Sequence, residues 1–110
     1  MITASPVDMT LSKKEIAAWA ESRAQDIRAH SGNAAEASRM MLLLADDRRA
    51  EAENLTEKAE TDLIRAKKAR EGGHAQAADE LEVYARSLDD QAKELVSKAT
   101  VLEELAMKPN

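Results

Sequence analysis

Between residues 78 and 106 the chain sets Ala and Leu alternately at spacings of three and four: Ala78, Leu81, Ala85, Leu88, Ala92, Leu95, Ala99, Leu102 and Ala106. An apolar repeat of seven keeps one stripe on one side of an α-helix and requires a second helix to cover it. Four successive repeats with Ala at one stripe position and Leu at the other leave a helical coiled coil as the fold of this segment. Its predicted span runs from about His74 to Met107, with Pro109 as the stop.

The partner precedes Gly72-Gly73 in the chain. Asn33-Ala34-Ala35-Glu36 reads as a helix start, and no breaker follows until Gly72. The predicted helix over 34–71 carries the reciprocal stripe: Ser38, Ala45, Ala52, Ala59 and Ala66 at one position, Met41, Arg48, Leu55, Asp62 and Ala69 at the other. If the chain folds back so that paired residue numbers add to about 147, Ala45 faces Leu102, Ala52 faces Leu95, Ala59 faces Leu88 and Ala66 faces Leu81. Small against large fills the seam without voids. The same register centres the turn on the two glycines, so pattern and turn agree. Arg48 and Asp62 interrupt the stripe. Either the helices rotate and both side chains snorkel to water, or both stay buried and fix a register or partner.

A shorter helix precedes the hairpin. Ser12-Lys13-Lys14-Glu15 has the form of a capping box. Ile16, Trp19/Ala20, Ala24 and Ile27 follow at helical spacing. The helix is expected over 12–31, with Gly32 free to take the left-handed conformation at its end. Residues 1–11 read as a tail, with Met9-Thr10-Leu11 as the alternative start of the structured chain, so 12–110 form one helical domain. The fold class is all-α: a long antiparallel hairpin with a shorter amino-terminal helix on its base. The short helix brings Trp19 level with about residue 46 and shields the Met40–Leu44 end.

Composition agrees with this and narrows function. Twenty-two residues are Ala, one is Trp, one is Tyr and none is Phe. Such a chain suits helices packed at close range better than a bulky globular core. The net charge is -5, and the region after Gly72 carries most of it, unlike the basic footprint of a dedicated nucleic-acid binder. There is no Cys, which removes disulfides and cysteine metal sites. The apolar run Met40–Ala45 is far too short to span a bilayer. No basic-then-apolar leader pattern opens the sequence, so a cytoplasmic setting is expected.

No catalytic, metal or cofactor signature emerges. His30 and His74 fall at opposite ends of the hairpin. Glu71 and His74 match a Glu-x-x-His spacing, but bundle di-iron sites need two such motifs plus two further Glu. Asp46-Asp47, Asp89-Asp90 and Glu103-Glu104 are adjacent pairs, and neighbours on a helix diverge rather than converge on a substrate. Arg65, Lys67, Lys68 and Arg70 form a candidate basic tip. The negative end of a helix dipole accounts for them, and no aromatic residue interleaves them to stack on bases. Asn54-Leu55-Thr56 has the letters of a glycosylation sequon but lies mid-helix. Gly72-Gly73 lacks the strand and Lys-Ser/Thr of a phosphate loop. The Trp-x-Gly turn of WXG-type hairpins is absent, since Trp19 is followed by Ala20-Glu21.

The expected function is therefore non-enzymatic: a helical protein–protein interaction module that bridges or blocks a protein partner and self-associates as a homodimer. Leu63, Ile64, Tyr84 and Leu88, lying toward the Gly-Gly tip beyond the short helix, form the candidate interaction surface. Two rivals are a small acidic inhibitor of the phage anti-defence kind that occludes a nucleic-acid-binding enzyme, and a nucleic-acid accessory protein using the basic tip. Neither a nucleic-acid nor a membrane partner is expected.

Overall fold

The computed structural model describes residues 11–108. Helix α1 spans Lys13–His30, α2 spans Ala34–Glu71 and α3 spans Ala75–Met107, with no strand among the described residues. Helices α2 and α3 pack antiparallel along their whole length, and α1 lies on the base of that hairpin, mostly against α3. The body measures 60 × 32 × 17 Å. Its long dimension is that of α2 itself, whose 38 residues rise about 57 Å.

Helices α1 and α2 begin in side-chain caps, and α2 ends in a glycine turn. The Ser12 hydroxyl accepts from the Glu15 amide, and the Glu15 carboxylate accepts from the Ser12 amide at 2.8 Å. These bonds hold the Glu15 carboxyl below its ordinary pKa, the backbone bond being the larger cause. At α2 the Asn33 side chain accepts from the Glu36 amide at 2.8 Å, while the Glu36 carboxylate reaches the Gly32 amide. Helix α2 closes in a Schellman turn: Gly73 takes φ +85°, the His74 amide donates to the Ala69 carbonyl at 2.8 Å, and the Gly73 amide donates to Arg70.

Two boundaries differ from the sequence expectation. Helix α3 starts at Ala75, with His74 as its cap residue in a non-helical conformation. Gly32 does not end α1 in the left-handed region. Ser31 turns extended instead, and its hydroxyl donates to the Ile27 carbonyl, satisfying an end-of-helix acceptor. Leu11 belongs to the folded body, since its amide donates to Glu94 Oε1 at 2.7 Å. The tail expected over 1–11 otherwise lies outside the described residues, as does Pro109.

The core is unequal along the hairpin. At the base, Met41, Ala45, Ala99, Leu102 and Leu105 pack with Ala20 and Ala24 of α1, backed by Trp19, Ile27 and Leu44. In the tip half the cluster shrinks to Ala59, Ala85 and Leu88, with Leu55 beside them. Ala59 with Leu88, and Ala45 with Leu102, are the pairs that the 147 register brings together.

The two interruptions of the stripe behave oppositely. Arg48 follows the first of the two readings and snorkels: its guanidinium lies 5.9 Å from the Trp19 ring centre and 3.5 Å from Glu51. Asp62 does not. It is buried, 7% exposed, with Arg65 as an ion-pair partner at 3.7 Å. The side chain is short enough to fit opposite Ala85 without prising the helices apart. Shielding by α1 is also narrower than expected: Met41 and Leu44 are covered, but Met40, Leu42 and Leu43 remain exposed. A single helix covers one side of α2, not its circumference.

Candidate functional site

The surfaces flanking the seam follow from the seven-residue lattice, because residues seven apart lie on one side of a coiled-coil helix. On one flank Arg49 bridges to Glu103 through two contacts, at 3.0 and 2.7 Å. Arg70 bridges on the same flank to Asp79 at 2.9 Å and Glu82 at 2.8 Å. The Arg49 guanidinium lowers the Glu103 pKa and Glu103 raises that of Arg49. Asp79 and then Glu82 raise that of Arg70. Leu63 stands seven residues before Arg70, so it lies on this flank. A shallow groove here is lined by Arg49, Ala52, Thr56 and Val96.

The opposite flank carries α1. Lys98 lies 4.8 Å from the Trp19 ring centre, and Leu105 packs with Ala20 and Ala24. Tyr84 shares the lattice row of Lys98 and Leu105, so it lies on the α1 flank. Helix α1 starts near Asp90 and Glu94 and does not reach Tyr84. An apolar depression remains there, lined by Asp79, Glu80, Val83, Tyr84 and Ser87.

The four residues singled out from the sequence therefore do not form one patch. Leu88 is 4% exposed and packs inside the seam against Ala59 and Ala85, which removes it from the surface. Leu63 and Ile64 are 46% and 59% exposed at the outer corner of α2. Tyr84, 51% exposed, sits at the outer corner of α3 on the other flank, together with Val83 at 53%. Sequence reasoning passed over Val83. Its signal was available: it is an apolar residue at the lattice position farthest from the seam, adjoining Tyr84.

The basic tip is partly engaged. Arg70 is held by two carboxylates and Arg65 by Asp62, while Lys67 and Lys68 form no ion pair among the described residues. His30 Nδ1 meets the Asp26 carbonyl of its own helix at 2.8 Å, and His74 occupies the N-cap position of α3 at the far end without a side-chain capping bond. Among the described residues no three His, Asp or Glu converge as metal ligands, and no helix is long and apolar enough to cross a membrane.

Among the described residues, fold and surface together define a three-helix body whose hairpin outruns α1. Comparison with protein-family models, curated proteins and solved structures returns no match.

Proposed function

We propose that this chain is a non-enzymatic helical interaction module that works in the cytoplasm by self-association and by bridging or blocking a protein partner. The observation that carries the reading is the tip half of the hairpin. There Leu63, Ile64, Val83 and Tyr84 are each about half exposed where, among the described residues, the body is two helices thick. They stand in two adjoining pairs on opposite corners; adjoining large apolar side chains on a small protein mark contact surfaces, and covering each contributes roughly 1.5–3 kcal/mol. The rival readings draw on less. Two of the four tip cations already hold carboxylates, which weakens the case for phosphate binding. The acidic load of α3 is partly matched by Arg49 and Arg70, which weakens the case for nucleic-acid mimicry.

Sedimentation equilibrium tests the reading. Association at micromolar concentration that is lost in Ile64→Asp is the expected result. A monomer at hundreds of micromolar overturns self-association and moves the surface to a different protein.

A further inference from the structure

The tip half presents two apolar patches, and they face away from each other. Leu63 and Ile64 occupy the outer corner of α2 on the Arg49–Glu103 flank. Val83 and Tyr84 occupy the outer corner of α3 on the α1 flank. Their charges are complementary. One turn from Ile64 stand Lys67 and Lys68. One turn from Val83 and Tyr84 stand Asp79, already bridged to Arg70, and Glu80, and both rim the depression they line. Lys67, Lys68 and Glu80 form no ion pair within their own chain among the described residues.

The patches also match in height. The seam register that packs Ala59 with Leu88 sets Ile64 level with Val83, and Lys67 level with Glu80. Two copies placed side by side with tips pointing the same way bring α2 of one antiparallel to α3 of the next. Ile64 then meets Val83 and Tyr84, and Lys67 meets Glu80, without any slide along the axis.

Building on the self-association reading, we propose that the Leu63–Ile64 corner and the Val83–Tyr84 corner are the two halves of one head-to-tail interface, and that a second copy of this chain occupies each. A two-fold dimer through either corner covers one patch and leaves the other bare. A head-to-tail contact covers both, and it generates a ring or an open array rather than a closed pair. This departs from the homodimer expected from the sequence.

Complementation between two surface variants tests the arrangement. Ile64→Asp spoils the α2 corner and keeps the α3 corner. Tyr84→Asp does the reverse. Both residues are exposed, so circular dichroism should match wild type. In sedimentation velocity, wild type should form species larger than a dimer that grow with concentration. Each variant alone should be monomeric. Their equimolar mixture should reach twice the monomer mass and stop, because only one intact contact can form. A mixture that stays monomeric overturns the head-to-tail arrangement, as does either variant associating alone to the wild-type extent. If wild type itself associates, those outcomes leave the self-association reading standing. A wild type that is monomeric at all concentrations removes both.

Discussion

The base and the tip of this hairpin share one heptad pattern and differ in what surrounds it. At the base a third helix closes one flank, and Met41 and Leu102 are fully buried beneath it. Toward the tip the same Ala/Leu seam continues with no third helix among the described residues, and its buried cluster is Ala59, Ala85 and Leu88. Two helices in contact bury the stripe between them and little else. The base thus gains a larger buried core from its own chain, although Met40, Leu42 and Leu43 stay exposed on its outer side, while the tip has apolar corners on both helices and a smaller core between them.

The largest expected effect probes that asymmetry directly. Leu102→Ala should cost about 3–5 kcal/mol, the upper part of the range for buried Leu, because the three-helix base cannot collapse onto the void. Leu88→Ala should cost about 2 kcal/mol, since the thin tip can relax toward it. Chemical denaturation of both variants measures the difference. Equal losses would break the distinction between the halves.

A smaller effect belongs to the turn that fixes the register. Gly73→Ala should cost roughly 1–2 kcal/mol, all of it from the left-handed backbone, because the added methyl meets open space. Next comes Asp62, the charged intruder in the tip seam. Asp62→Ala should leave stability unchanged or raise it by up to about 1 kcal/mol. It removes a buried carboxylate with one loose ion pair and substitutes a better helix former of the size already used at that seam. A clear loss in thermal melts would instead assign Asp62 a role in holding the register.

The smallest effect is in the base and depends on pH. Arg49 lowers the Glu103 pKa in the folded state, so the bridge contributes stability above the ordinary carboxylate range and loses it as pH falls through the depressed value. Arg49→Met should flatten that part of the pH–stability curve only slightly, because both side chains are substantially exposed.

Much of this architecture was legible in the sequence because it rests on local rules. The Ser12 and Asn33 caps, the Gly72-Gly73 turn and the Ala/Leu alternation each announce their structure within a few residues. What was not legible depended on rotation about the helix axis. Arg48 and Asp62 occupy equivalent positions in the repeat, yet Arg48 reaches Trp19 and Asp62 stays inside, a difference of side-chain length and of which half α1 covers. Leu88 had to be counted either as seam or as surface, and packing against Ala59 decided for the seam. The separation of Leu63 from Tyr84 could have been read from the lattice, since each falls in line with residues that face opposite flanks. Gly32 drew attention as a terminator where the hydroxyl of Ser31 did that work.

Hydrogen–deuterium exchange of the wild-type chain across a concentration series tests the difference between base and tip most directly. Amides of residues 55–70 and 76–88 should exchange faster than those of 41–45 and 99–105 in dilute solution. They should gain protection as concentration rises, while the base stays constant. Uniform exchange along the hairpin, unchanged by concentration, would contradict the account.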